Sequence, residues 1–182
     1  MFSTLPNLLT LARIVLIPIM MVAFYANDRF GNWVAAIVFM LACFTDFLDG
    51  YVARVWSQTT KVGQFLDPVA DKLLVSSTLL LLAGFDRISR FTLIPAIVIL
   101  CREIMVSGLR EYLSELKVNM PVTPLAKWKT AVQMIAISFL LLGDSSVFGK
   151  SFLLLGEGLL WAAAVMTLIS GFNYLKANAK HF

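Results

Sequence analysis

Charged side chains are scarce in this sequence, and their scarcity sets the first limit on its structure. Asp, Glu, Lys and Arg make up 14% of its 182 residues, against about 25% in a typical soluble domain. The mean hydropathy is +0.84. This composition excludes a largely polar surface and predicts an integral membrane protein.

Other features are missing as well. No Ser/Gly/Pro-rich linker, charge block or low-complexity tract divides the chain, which predicts one domain over residues 1–182. The N-terminus lacks the basic region of a cleavable signal peptide. The two cysteines, Cys43 and Cys101, lie in hydrophobic stretches and are interpreted as buried apolar residues. The basic residues do not form the patch typical of nucleic-acid binding.

Six segments approach the length of about 20 residues that a membrane-spanning helix needs. They lie near residues 5–26, 31–55, 66–85, 91–113, 127–143 and 150–175. The fold class predicted is therefore an all-α membrane protein with six transmembrane helices in one bundle. The second and third segments reach full length only by including aspartates. These carboxylates are expected one or two helical turns inside the membrane from one face.

The distribution of basic residues predicts the orientation of the bundle. With six spans, both termini share a face with the connections after the second and fourth segments. Only four of the fifteen Lys and Arg residues fall on the other face. These are Arg29, Arg87, Arg90 and Lys150. The positive-inside rule then places both termini and the aspartates on the cytoplasmic side.

Four carboxylates lie within one 26-residue window, DFLDGYVARVWSQTTKVGQFLDPVAD. Asp46 and Asp49 are three residues apart and Asp67 and Asp71 are four apart, so each pair lies on one face of its helix. Two helices with a short connection are expected to be antiparallel neighbours. Four acids meeting in a low dielectric repel each other unless cations separate them, which predicts a pair of Mg²⁺ or Mn²⁺ ions.

Simpler interpretations of this window remain open. Asp67 could be the N-cap of a helix with Pro68 at its first position. Arg54 could pair with an aspartate. Asn7 could likewise be a helix N-cap. A divalent-cation channel or transporter would also use intramembrane carboxylates, although it would not need nearby Arg and Lys residues.

The spacing Asp46-x2-Asp49-Gly50-x2-Ala53-Arg54-x8-Gly63-x3-Asp67-x3-Asp71 resembles the signature of the CDP-alcohol phosphotransferases in all eight positions. The resemblance implies six transmembrane helices, two divalent metals held by the four aspartates, and Asp71 as the catalytic base. It also implies a homodimer. Residues implied to bind the CDP-linked lipid are Asn7, Thr10, Asp49, Gly50, Ala53, Arg54, Gly63 and Asp67.

A second group of basic residues points to the acceptor. Arg102 and Arg110 are eight residues, about two turns, apart on one helical face, and Glu103 is expected to lie off that face. Lys127 and Lys129 lie at the start of the fifth segment. Together these four suit a phosphomonoester dianion such as glycerol 3-phosphate. Alternatively, the arginines snorkel or pair with Glu103, Glu111 or Glu115.

The stretches REI…GLRE and K-x-K-T resemble the bacterial branch of this family that uses glycerol 3-phosphate, although Ala126 stands where that branch often has Gly. The resemblance implies transfer of a phosphatidyl group from CDP-diacylglycerol to glycerol 3-phosphate, with release of CMP. In that reaction Asp71 would accept the proton of the attacking hydroxyl. Members that make cardiolipin, phosphatidylserine or phosphoinositol lipids would share the eight positions, so other acceptors remain open.

Overall fold

The computed structural model describes residues 5–56, 61–115, 124–143 and 149–178. Side chains at 5–6, 47–56, 61–62, 64–65, 114–115 and 177–178 lie outside this description. Within the described ranges the regular structure is helical, which confirms the all-α prediction. The helices are α1 Leu5–Tyr25, α2 Arg29–Trp56, α3 Lys61–Gly84, α4 Leu93–Glu115, α5 Pro124–Leu142 and α6 Lys150–Asn178.

Helix α3 begins earlier than the sequence pattern indicates. It starts at Lys61 instead of near residue 66, and Pro68 lies inside the helix. The interpretation of Asp67 as an N-cap is therefore wrong. Because proline has no backbone N–H, Pro68 removes one hydrogen bond from this part of α3. Asp67 and Asp71 consequently project from the body of a helix and not from its first turn.

Helix α1 packs against both α2 and α3. In the described part of the chain, α1 contacts each of them more extensively than α2 and α3 contact each other. Helices α5 and α6 form a second close pair, α4 packs on α6, and α2 packs on α5. The expected pairing of α2 with α3 is therefore largely mediated by α1.

The core that holds these helices is apolar. Its fully buried side chains include Met20 and Phe24 of α1, Phe39 of α2, Leu79 of α3 and Leu140 of α5. Burying one large apolar side chain stabilises a fold by about 1.5–3 kcal/mol when the alternative is exposure to water. This core fixes the positions of α1, α2, α3 and α5, and the polar residues described below lie on these helices and on α4.

The outer surface is apolar as well, which is typical of a protein in lipid. Exposed side chains include Val22, Phe30, Phe91, Leu154 and Phe172. Helices α1, α5 and α6 are long and apolar enough to cross a membrane, judged by length and composition among the described residues. The chain is thus a multi-pass helical membrane protein. Cys43 is half-buried but Cys101 is exposed, so the expectation that both cysteines are buried is wrong for Cys101.

Candidate active site

Helix α1 carries three polar residues on one buried face. Asn7, Thr10 and Arg13 follow each other at intervals of three, so they lie along the same side of the helix. Their exposed fractions are 1%, 0% and 0%. They are buried because α2 and α3 cover this side of α1. A buried arginine is costly unless an acidic group compensates it, so this face of α1 needs acidic partners.

Those partners are the aspartates of α2 and α3. Arg13 Nη1 lies 2.9 Å from Asp46 Oδ1, and the Thr10 hydroxyl donates a hydrogen bond to Asp67 Oδ1. One face of α1 thereby contacts a carboxylate from each of the two neighbouring helices. Thr10 was predicted to lie near the nucleotide, and the structure places it against one of the predicted metal ligands.

Three of the four predicted metal ligands can be located, and we call Asp46, Asp67 and Asp71 the carboxylate cluster. All three are partly buried, and Asp46 lies close enough to Asp67 and to Asp71 for their negative charges to repel. Arg13 offsets part of this charge. The fourth, Asp49, is in α2, but its side chain lies outside the described residues.

The cluster suits hard cations by chemistry, because carboxylate oxygens are the ligands that Mg²⁺ and Mn²⁺ prefer. Among the described residues, no three His, Cys, Asp or Glu side chains come together closely enough to form a metal site. A complete site would therefore need Asp49 or movement of the three aspartates that are described.

The remaining signature residues are only partly described. Gly63 is buried in the first turn of α3, as expected for a position where another group approaches closely. Gly50, Ala53 and Arg54 belong to α2, but their side chains fall outside the described residues. Their predicted contacts with a nucleotide therefore remain predictions.

A cavity of about 50 Å³ lies between α3, α4 and α5, next to the carboxylate cluster. At about 10–15 Å³ for each water molecule, it has room for several waters or for part of a small polar substrate. We call it the α3–α5 cavity. Its polar lining consists of Asp71, Lys72, Ser76, Glu103, Lys129, Thr130 and Gln133. Asp71, the predicted base, thus belongs to the carboxylate cluster and also lines this cavity.

Lys129 and Arg102 share one acidic partner. Lys129 is buried at 3% exposure and donates a hydrogen bond to Glu103 Oε1. Arg102 Nη1 lies 3.5 Å from the same oxygen. We call Arg102, Glu103 and Lys129 the basic cluster. The spacing places Glu103 off the helical face of Arg102 and Arg110, but its side chain still pairs with Arg102, because long side chains reach each other although the backbone positions differ in direction.

Arg102 faces α6 more than it faces the cavity. Its Nη2 donates a hydrogen bond to Ser170 Oγ at 2.8 Å, and its guanidinium lies 5.7 Å from the centre of the Tyr174 ring. Arg102 is 7% exposed. The alternative in which an arginine pairs with Glu103 therefore describes Arg102 well, and Arg102 helps to hold Glu103 in place.

The four predicted acceptor residues are in different environments. Lys129 lines the α3–α5 cavity, whereas Arg102, Arg110 and Lys127 are absent from its described lining. Arg110 and Lys127 are exposed. Arg102 and Arg110 are therefore not equivalent members of one pocket, although they are two turns apart on the same helix.

Several polar cavity residues, among them Lys72, Glu103 and Gln133, were not predicted as site residues. Lys72 donates a hydrogen bond to Ser107 across the α3–α4 interface, Glu103 accepts one from Lys129, and Gln133 is buried. A signal was present for Gln133, which is an amide within the apolar run TAVQMIAISFLLL, four residues after Lys129. Lys72 directly follows Asp71, and Glu103 directly follows Arg102. No sequence pattern marks either residue by itself as part of a site.

Comparison with known proteins identifies the family of the chain. Residues 3–169 match the family model of CDP-alcohol phosphatidyltransferase. A Rickettsia felis protein named CDP-diacylglycerol–glycerol-3-phosphate 3-phosphatidyltransferase is 46% identical over 180 residues, which cover 99% of this chain and 98% of the relative. A Haemophilus influenzae protein of the same name is 39% identical over 174 residues, with 94% and 91% covered. One from Cereibacter sphaeroides is 36% identical over 208 residues, with 95% and 94% covered.

Proposed function

The chain belongs to the CDP-alcohol phosphatidyltransferase family, and from this premise we propose that it transfers a phosphatidyl group from CDP-diacylglycerol to glycerol 3-phosphate. The products are phosphatidylglycerophosphate and CMP. The observation that carries the proposal is the α3–α5 cavity, because its walls include both a carboxylate that can act as a base, Asp71, and a buried ammonium group, Lys129. The names of the relatives support the choice of substrates.

Asp71 would act as the general base. The terminal hydroxyl of glycerol 3-phosphate gives its proton to the Asp71 carboxylate, and its oxygen forms a bond to the phosphorus attached to the lipid. The bond between that phosphorus and the CMP oxygen breaks, and CMP leaves. An aspartate is a weak base for an alcohol, so correct positioning of the two substrates supplies much of the acceleration. A single displacement predicts inversion at phosphorus.

We propose Asp46, Asp49, Asp67 and Asp71 as ligands of two divalent metal ions, Mg²⁺ or Mn²⁺. When bound, the metals would neutralise the diphosphate and stabilise charge on the departing CMP. The protein itself positions the carboxylates. Arg13 holds Asp46 and Thr10 holds Asp67, so α1 restricts how far the carboxylates of α2 and α3 can move.

The CDP-linked lipid would bind beside the carboxylate cluster. We propose that Asn7, Thr10, Asp49, Asp67 and Arg54 provide its polar contacts. Gly50, Ala53 and Gly63 would let the nucleotide approach the backbone closely, because these residues have small side chains or none. Support comes from the buried polar face of α1 and from the burial of Gly63.

The phosphate of the acceptor would contact Lys129 in the α3–α5 cavity. A buried ammonium group interacts strongly with a phosphate dianion because little water screens it. Arg110 and Lys127 are exposed and would attract the dianion from solution. Arg102 would act through Glu103, whose position determines where Lys129 points.

We further propose that all six helices cross the bacterial inner membrane, that both termini and the active site face the cytoplasm, and that the protein is a homodimer. The excess of Lys and Arg on one face supports the orientation. A cavity with charged side chains in its wall, near the cytoplasmic face, would let a lipid held in the bilayer meet a water-soluble acceptor.

The proposed function is tested by CMP release from purified protein in lipid micelles. CDP-diacylglycerol is supplied with glycerol 3-phosphate, serine, inositol or phosphatidylglycerol, each in Mg²⁺, Mn²⁺ or EDTA. We expect metal-dependent CMP release with glycerol 3-phosphate and none with the other acceptors. Release with a different acceptor would overturn the substrate assignment but keep the family chemistry. No release with any acceptor would contradict the proposal and favour ion-flux assays for a cation transporter.

A further inference from the structure

Gln133 is a buried amide that the proposed mechanism does not yet use. Its exposed fraction is 2%. In the part of the chain that the structure describes, its Oε1 atom has no hydrogen-bond partner. Leaving a buried polar atom unpaired is unfavourable, and an apolar residue of similar size would avoid that cost. We therefore expect the Gln133 amide oxygen to accept a hydrogen bond from something other than the described protein atoms.

The amide lies on the wall of the α3–α5 cavity. Gln133 and Lys129 are four residues apart on α5 and both are buried, so they occupy one face with about 5–6 Å between their Cβ atoms. Asp71 lines the same cavity from α3. The polar groups around this one space thus include a carboxylate, an ammonium group and an amide.

This inference rests on the proposed function, in which the acceptor is glycerol 3-phosphate. That molecule has a phosphate at one end, the attacking hydroxyl at the other and a second hydroxyl on the middle carbon. Binding of the two ends by Lys129 and Asp71 uses one charged group from α5 and one from α3. The middle hydroxyl then lies between them, and the amide is one turn of α5 beyond Lys129.

We propose that the Gln133 amide hydrogen-bonds the hydroxyl on the middle carbon of the acceptor and thereby determines specificity for a three-carbon phosphate that carries this hydroxyl. A carboxamide has both an acceptor oxygen and donor hydrogens, so it can pair with a hydroxyl in either sense. A site built to bond a hydroxyl discriminates strongly against an analogue that lacks it, because the polar group of the site is then left unpaired. Gln133 is therefore a specificity-determining residue.

The test compares glycerol 3-phosphate with 3-hydroxypropyl phosphate, which lacks only the middle hydroxyl. The unchanged full-length protein should have a kcat/KM for glycerol 3-phosphate at least about tenfold above that for the analogue. In Gln133→Met, which keeps the length of the side chain without its amide, kcat/KM for glycerol 3-phosphate should fall by about tenfold or more. The value for the analogue should stay within about threefold, because that substrate never had the bond.

Gln133→Leu serves as a second variant in case one replacement packs poorly, and Met134→Leu serves as a control on an adjacent cavity residue. Equal losses with both acceptors in both Gln133 variants would overturn the proposal and assign Gln133 a packing role. Unchanged specificity would overturn it as well, as would equal use of both acceptors by the unchanged protein. If the unchanged protein releases no CMP with glycerol 3-phosphate, the proposed function itself has failed, and this inference fails with it.

Discussion

The carboxylate cluster and the basic cluster are built on opposite charge balances. In the described part of the chain, the carboxylate cluster has three acids, Asp46, Asp67 and Asp71, and its ion pair is with Arg13. The basic cluster has two cations, Arg102 and Lys129, and its ion pairs are with Glu103. The first cluster is therefore short of positive charge and the second is short of negative charge.

The difference supports the ligands proposed above for the two clusters. An excess of buried acid is stabilised by cations, and an excess of buried base is stabilised by an anion. The two clusters are neighbours, since Asp71 belongs to the first and lines the same cavity as Lys129 of the second. This combination of opposite charge deficits suits the proposed reaction, in which metal ions would hold the diphosphate and a phosphorylated acceptor would bind beside Asp71.

The largest expected effect comes from Asp71, which belongs to the carboxylate cluster and lines the same cavity as Lys129. Asp71→Asn should lower CMP release by about a thousandfold or more, because the amide cannot accept the proton of the acceptor hydroxyl. Binding of CDP-diacylglycerol should remain, and it can be measured by equilibrium binding in micelles. Asp86→Asn is the matched control, since Asp86 is exposed in the α3–α4 connection. Full activity of Asp71→Asn would remove the base assignment.

A smaller effect is expected in the basic cluster. Lys129→Met should raise the KM for glycerol 3-phosphate by about tenfold to a hundredfold, because a charged hydrogen bond to the phosphate contributes about 1.5–3 kcal/mol. The KM for CDP-diacylglycerol should change little. Lys127→Met makes the same substitution at an exposed position and should change the acceptor KM by no more than about threefold. If the two variants behaved alike, the buried position of Lys129 would have no special role.

The third prediction concerns stability in the carboxylate cluster. Breaking a buried ion pair costs about 3–5 kcal/mol. Since the Asp46 side chain is 44% exposed and water compensates part of the loss, we expect Arg13→Met to lower the free energy of unfolding by about 1–3 kcal/mol. Thermal unfolding in detergent measures this. Arg90→Met, at an exposed position outside the described helices, should change it by less than about 0.5 kcal/mol.

Arg13→Met also tests the charge balance of the carboxylate cluster. Without Arg13 the carboxylate cluster carries more uncompensated negative charge, so Mg²⁺ should raise the melting temperature of Arg13→Met more than it raises that of the unchanged protein. EDTA should remove the difference. An equal Mg²⁺ effect on both proteins would mean that Arg13 and the metal do not act on the same carboxylates.

The sequence predicted the helices well because long apolar runs leave few alternatives. All six segments appear, and the family indicated by the eight signature positions is confirmed. Helix α3 starts at Lys61, before the predicted segment near 66–85, and it continues through Pro68, a residue that is more usual at a helix start. Whether a helix starts at a proline or continues through it depends on packing around the proline, which the local sequence does not encode.

The contacts between helices were harder to predict. Chain order favoured a direct α2–α3 pair, but α1 contacts both, and no spacing within α1 shows which helices will cover Arg13. Periodicity also placed Glu103 away from Arg102, since it describes backbone directions and ignores how far long side chains reach. The α3–α5 cavity combines residues from three helices, so it becomes visible only once those helices are packed.

The buried arginine of α1 has a consequence for how the protein is made. During synthesis α1 emerges before α2 and α3, so Arg13 enters the insertion machinery before Asp46 exists to pair with it. An unpaired arginine near the centre of a helix opposes insertion by about 2.5–3.5 kcal/mol. The other residues of α1 are apolar enough that the span Asn7–Tyr25 has a mean hydropathy of 2.2 with Arg13 included, and they must outweigh this cost until the later helices arrive. Arg13, which pairs with Asp46 in the folded protein, thus makes membrane insertion of the nascent α1 less favourable.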